Sequence, residues 1–226
     1  MAANLFKLVL TTALSLLLLS TLTAVYLLDQ LSLPVSKDSV FIIEPGSSLS
    51  TITKRLTRED LLPVNNIAFK AYAILTRDTG SIQAGQYQLK AGMPSQDVLA
   101  LFRSGKVIQH RITFPEGLRV QEWLARLQQA PYLESKTTGM TREDLRQFLG
   151  LATELEGSLF PDTYQYTLGD SDLDILELAV RKMKEVLGEE WSGRAMTVIS
   201  TPFDALVLAS MIEKETGYGP DREKIA

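Results

Sequence analysis

The chain has 226 residues, of which 45% are hydrophobic and 22% charged, enough apolar content for one large or two small packed domains and too much for a disordered chain. Zero cysteines and a single histidine, His110, exclude disulfide frameworks, iron–sulfur clusters, thiol nucleophiles and thiolate zinc sites, and no metal or other cofactor is expected. With 23 basic against 27 acidic residues the net charge is −4, so nucleic acid is not an expected partner, and what remains is carboxylate chemistry or binding.

In chain order, the first element is apolar. Leu8 to Leu28 is a 21-residue stretch without charge between Lys7 and Asp29. At about 1.5 Å per residue it reaches roughly 31 Å, the depth of a bilayer core. A cleaved signal peptide is the competing reading, but the run is long for one and Leu22-Thr23-Ala24 is a poor A-x-A site, so an uncleaved anchor is preferred. Lys7 and the amino terminus on one side and Asp29 on the other place the bulk of the chain outside the cytoplasm by the positive-inside bias. In a bacterium that means a single-pass inner-membrane protein with its soluble part in the periplasm.

Residues 31–39 read as a linker containing Pro34, and a strand-turn-helix unit then recurs. Phe41 to Gly46 is a strand meeting a turn, followed by Leu49, Ile52 and Leu56 at helical spacing, with Ser47 or Ser48 as N-cap. Tyr87 to Gly92 repeats the pattern with Val98 and Phe102, and Ile112 to Gly117 does so with Trp123 and Leu127. The three glycines are 46 and 25 residues apart, which argues against a solenoid. Asn65 to Leu75 reads as a helix with Ile67, Ala71 and Ile74 on one side, and Gly80 and Gly85 bound a short strand. A strand-helix-helix-strand order over residues 40–109 pairs its two strands and forms a small α+β module. From 110 onward helices dominate: Val120 to Gln129, Thr141 to Leu149, Asp172 to Leu187, and Pro202 to about Thr216, with a loop around Gly188 and Gly193. Thr141 with Asp144 is a partial capping box, and Thr201-Pro202 is an N-cap followed by proline at the first helical position.

Two segments could carry chemistry. Glu156-Gly157-Ser158-Leu159-Phe160-Pro161-Asp162-Thr163-Tyr164-Gln165-Tyr166 gathers aromatics and acids that suit a sugar, stacking on its C–H faces and accepting from its hydroxyls. The same residues also suit a plain core, with Phe160 and Tyr164 buried and Asp162 capping a turn. The second is the uncharged run Ala205 to Ile212 leading into Glu213-Lys214-Glu215, which predicts a buried helix. An acid at the end of such a helix is partly desolvated, which favours the protonated form a general acid needs. Glu213 shares a face with Leu206, Ala209 and Ser210, and Glu215 shares one with Leu208, Met211 and Ile212. Spacing does not choose between them, and an ordinary charged last turn is equally consistent.

Taken together, Glu156-Gly-Ser-Leu-Phe-Pro-Asp-Thr-Tyr164 and Leu208-Ala-Ser-Met-Ile-Glu-Lys-Glu-Thr216, behind one anchor and Gly85-Gln-Tyr-Gln-Leu89, resemble the YceG-like endolytic murein transglycosylases. The resemblance runs from the anchor to Ala226. It implies an α+β fold with one transmembrane helix (1–30), a LysM-like module (40–109) and a mainly helical part of a catalytic α+β domain (110–226). It also implies non-hydrolytic cleavage of peptidoglycan glycan strands between N-acetylmuramic acid and N-acetylglucosamine, leaving 1,6-anhydro ends. Glu213 matches the catalytic acid, and Glu156, Phe160, Asp162 and Tyr164 would bind substrate. The implied partners are glycan strands, the inner membrane and the penicillin-binding proteins of wall synthesis. Chains of the family continue past this motif, and Asp221 to Ala226 reads as a helix start without a C-cap, so the catalytic domain is expected to be incomplete. A non-catalytic wall-binding scaffold and a hydrolytic muramidase using Glu213 with Glu156 or Asp162 are the alternatives.

Overall fold

The computed structural model describes residues 2–62, 65–75, 82–152, 154–194 and 199–215. The chain forms two units, 1–108 and 109–226. The first begins with helix α1 (Ala2–Ser32), whose segment Val9–Ser32 is long and apolar enough to cross a membrane and is exposed over residues 9–26. The helix ends by docking on its own unit, with Leu31 buried and the Gln30 side-chain oxygen accepting the Asn65 N–H at 3.0 Å. The segment expected to be a linker is tied down along its length. Val35 is buried, its N–H donates to Met93 O at 2.8 Å, and its carbonyl accepts from Gly92 N at 3.0 Å.

Strand β1 (Ser39–Ile43) pairs antiparallel with β2 (Gly85–Leu89), with Phe41 opposite Tyr87. Helices α2 (Leu49–Arg58), α3 (Asn66–Leu75) and α4 (Ser95–Ser104) complete the unit. Inward-facing Phe41, Ile43, Tyr87 and Leu89 share one core with Ile52, Leu56, Phe69 and Phe102. Phe102 stacks on Phe41 at 5.7 Å and meets Tyr87 edge-on at 4.9 Å, the geometry that aromatic quadrupoles favour. The N-cap of α2 is Ser48, not Ser47, its hydroxyl accepting from Thr51 N–H.

One expectation for this unit is corrected. The strand bounded by Gly80 and Gly85 is not formed at residues 82–84, and Gly85 is itself the first residue of β2, while residues 76–81 lie outside the described residues. Helix α3 does not bury the side that carries its isoleucines: Ile67 and Ile74 are 77% and 63% exposed, and Ala68, Phe69 and Ala73 are buried. Burying the larger aromatic ring with two alanines lets the helix approach the core closely, and that outweighs the periodicity of two isoleucines.

In the second unit the third strand-turn-helix module is β3 (His110–Thr113) followed by α5 (Val120–Gln129). Gly46, Gly92 and Gly117 each sit at the turn of their module with φ of +75°, +83° and +77°, and a Cβ would meet nothing within 4 Å at any of them. The backbone angle, not crowding, is what demands glycine there. Strand β4 (Thr163–Tyr166) pairs antiparallel with β3, with Ile112 opposite Tyr164. Helices α6 (Arg142–Phe148), α7 (Asp172–Gly193) and α8 (Pro202–Glu215) follow. Thr141 with Asp144 makes a complete capping box on α6, and Ser171 with Asp174 makes another on α7. The core joins Phe114, Trp123, Leu127, Leu145, Tyr164, Ile175 and Leu176, with Phe114 and Trp123 stacked at 3.7 Å.

The expected loop around Gly188 and Gly193 is instead the last turns of α7. One glycine costs a helix only about 1 kcal/mol relative to alanine, which the helix formers around Gly188 offset. The expectation that Ala205 to Ile212 forms a buried helix is also corrected. It is helical, but Phe203, Val207 and Met211 are 49%, 43% and 60% exposed. Among the described residues, cover on α8 comes to one side only, where Leu206 lies beside Gly157.

Candidate active site

The loop between α6 and β4 is held from below by Leu155 and Leu159, both buried. Gly157 takes φ +79°, and the Ser158 N–H donates to Leu155 O at 3.1 Å to close the turn. This lifts Glu156 into solvent, where its Oε1 accepts the Val120 N–H at 3.2 Å. Val120 opens α5, so the carboxylate lies on the positive end of a helix.

Phe160 is half-buried, its N–H bonded to Ala179 O at 3.2 Å and its ring 5.3 Å from the Lys182 ammonium. Lys182 also pairs with Asp162, whose other oxygen accepts the Thr163 N–H at 2.6 Å. The Lys182 hydrogen bond, then the Thr163 N–H, hold the Asp162 carboxyl below the usual carboxylate range. Tyr164 lies in the core against the stacked Phe114–Trp123 pair, 6.1 Å from each ring, and its hydroxyl donates to Phe160 O at 2.6 Å. Burial first, then the charge of Asp162, push that phenol well above its ordinary value. Tyr164 is therefore placed behind the loop, where it supports it.

Helix α8 passes in front of this loop. A Cβ on Gly157 would lie 3.0 Å from Leu206 Cδ2. A cavity of about 310 Å³ opens beside the contact, lined by Glu156, Ser158, Val180, Lys184, Phe203 and Leu206 among others. Its walls are mostly apolar, with a carboxylate and an ammonium among the lining groups. Glu213 is half-buried and follows Leu206 by seven residues, which puts it on the same face of α8 about 10.5 Å further along. Glu215 is exposed. Thr216, the end of the second motif, and residues 217–226 lie outside the described residues.

The structure thus brings Glu156, Phe160 and Asp162 into one loop and sets that loop against the helix that carries Glu213. Lys182 and Val120, the partners that fix Asp162 and Glu156, carry no signal in the sequence. They lie 20 and 36 residues from the groups they bond, too far for any local pattern to reveal.

An α+β protein with a candidate amino-terminal membrane span and an acid-bearing loop packed on a helix is the class this arrangement defines. The model of the YceG-like family matches residues 41–226, and the chain belongs to that family. It is 26% identical over 215 residues to the endolytic murein transglycosylase of Bacillus subtilis (strain 168), an alignment covering 85% of this chain and 59% of that protein. The chain thus spans less than two thirds of the length of that relative. The crystal structure of a protein described as yceG-like from Listeria monocytogenes is similar at 22% identity and a TM-score of 0.37, covering 82% of this chain and 67% of that one.

Proposed function

We propose that this chain is part of a membrane-anchored lytic transglycosylase that cuts within peptidoglycan glycan strands. The family membership and the name of the Bacillus relative support the substrate class. The single observation that carries the reading is the packing of Gly157 on Leu206, which sets the acid-bearing loop against the helix that leads to Glu213. In this reading Glu213 protonates the glycosidic oxygen between N-acetylmuramic acid and N-acetylglucosamine. Its carboxylate then takes the proton from the muramyl C6 hydroxyl, and the C6 oxygen closes on C1. The glycosidic C–O bond breaks, the intramolecular C–O bond forms, and water is not consumed. One carboxyl group serves as acid and then as base, unlike the two carboxyls of ordinary glycosidases.

Glu156 and Phe160 are the groove groups in this proposal, with Asp162 held in place by Lys182. Helix α1 anchors the protein in the inner membrane with the chain that follows it in the periplasm. The β1-α2-α3-β2 arrangement acts as a LysM-like glycan-binding module, and the enzyme ends nascent strands beside the penicillin-binding proteins.

The test is Glu213→Gln in the complete protein, with digested glycan read by mass spectrometry. The amide keeps shape and hydrogen bonding but cannot relay a proton, so anhydro products, each one water lighter than hydrolysed ones, should disappear while glycan binding persists. Continued cleavage by the variant rejects Glu213 as the acid. Reducing ends from the parent protein identify a hydrolase, and binding without any cleavage by the parent identifies a scaffold.

A further inference from the structure

A second groove lies in the same unit, on the side of β3 where α5 ends. It encloses about 330 Å³ and is lined by Arg111, Thr113, Arg126, Gln129, Pro131 and Tyr166, with Ile112 and Ala130. Two of its eight lining residues are arginines and none is acidic, in a chain whose net charge is −4. Arg111 is exposed on β3. Arg126 uses one N–H on Thr113 O at 3.1 Å, out of the five a guanidinium carries, and that bond fixes its stem across the groove.

Beside the groove stands a row of rings. His110 lies 5.0 Å from Tyr132 and 5.4 Å from Tyr166. Tyr132, the outer ring, is 52% exposed and has φ +64°, in the turn that follows α5. A bulky side chain rarely takes that angle, and glycine or asparagine would hold the turn with less strain. The turn is secured without the Tyr132 ring, because the Tyr166 hydroxyl donates to Pro131 O at 3.0 Å. A strained, half-exposed tyrosine that is needed neither by the core nor by the turn points to a ligand.

We propose that this groove is a binding subsite for a carboxylate carried next to a sugar ring. Arg111 and Arg126 receive the carboxylate, and Tyr132, backed by His110, stacks on the C–H face of the sugar. The inference rests on the wall-glycan reading above, which supplies two sources of that chemistry: the stem peptide and the lactyl acid exposed when the stem is removed. Neither arginine belongs to the Glu156 loop or to α8, so the subsite holds the strand without touching the bond that is cut.

The test uses the complete protein carrying Glu213→Gln, so that the ligand stays intact, and titrates it by calorimetry. The probes are glycan fragments with stems, the same fragments with stems removed, and uncharged chitotetraose. Adding Arg111→Ala with Arg126→Gln should weaken binding of the acidic fragments by roughly tenfold or more and leave chitotetraose unchanged. A loss confined to stem-bearing fragments assigns the carboxylate to the stem, a loss confined to stem-free fragments assigns it to the lactyl acid, and a loss on both shows that the subsite takes either. Adding Tyr132→Gly should weaken acidic-fragment binding while raising the thermal midpoint by about 2–4 °C, so a folding defect cannot imitate the result. Unchanged affinity for the acidic fragments in either variant overturns the subsite. If the Glu213→Gln protein binds no glycan at all, the wall-glycan reading falls and the subsite with it.

Discussion

The Thr137 hydroxyl donates to Asp172 Oδ2 at 2.6 Å, deep in the second unit, where Asp172 is fully buried. The same carboxylate accepts the backbone N–H of Thr137 and, at 2.9 Å, that of Lys136, so one side chain at the start of α7 organises the loop that precedes α6. Asp172→Ala leaves these donors without an acceptor and should cost about 3 kcal/mol or more. Asp172→Asn keeps one oxygen for the two backbone N–H groups and should cost about 1–2 kcal/mol. Urea unfolding of the second unit's signal measures both, and equal losses for the two variants would show that packing, not hydrogen bonding, sets the value of this residue.

Helix α3 supplies a contrast within ten residues. Phe69 is fully buried against the β1–β2 core, whereas Ile67 and Ile74 point away from it. Phe69→Ala should destabilise the first unit by about 3–5 kcal/mol, as large cavities do. Ile67→Ala and Ile74→Ala should each stay within about 0.5 kcal/mol. A large loss at either isoleucine would mean that the face marked by the isoleucine spacing is the packed one.

The buried face of α3, which periodicity leaves open, and the features legible around it have the same origin. The three glycine turns, the Thr141 capping box and the Pro202 helix start were legible because each is decided by neighbours within about four residues. The pairing of β3 with β4 was not, since Ile112 and Tyr164 meet across some fifty positions, although the alternation of Tyr164 and Tyr166 with Thr163 and Gln165 carries the period of a half-buried strand. Periodicity names two candidate faces for a helix such as α3, and packing volume chooses between them. For the site, composition marked the Glu156 to Tyr166 loop, but only the packed structure separates Tyr164, which supports it, from Glu156, which is exposed on it.

Acid should weaken the second unit before neutral or mildly alkaline conditions do. Asp162 is held below its usual range first by Lys182, Asp144 first by the Thr141 hydroxyl, and Asp174 first by the Ser171 hydroxyl. A depressed carboxylate contributes stability that is fully present above its unfolded pKa of about 3.9 and is lost as pH falls through the lower folded value. The urea midpoint should therefore be flat in this respect from neutrality to about pH 5 and fall below about pH 4. Asp174→Asn should shallow that fall, and an unchanged acid limb would remove Asp174 as a cause of it. The Asp162–Lys182 pair is more than a third exposed on both sides and should contribute the part of the effect that salt screens.

Gly157 and Leu206 offer the sharpest probe of how the loop and α8 work together. At φ +79° an alanine is strained by about 1–2 kcal/mol, and its methyl would lie 3.0 Å from Leu206 Cδ2. That leucine must yield by a few tenths of an ångström or the loop must lift from the helix. Gly157→Ala should therefore lower the thermal midpoint modestly and, under the proposed function, reduce glycan cleavage by about tenfold or more through misplacement of the loop relative to Glu213. Leu206→Ala removes the obstructing methyl, so the double variant should recover part of the cleavage while keeping the backbone strain. The four proteins of that cycle, compared by mass spectrometry of products and by thermal melts, separate the two effects. If Gly157→Ala cleaves like the parent protein, or if Leu206→Ala restores nothing, the contact between loop and helix has no part in positioning the acid.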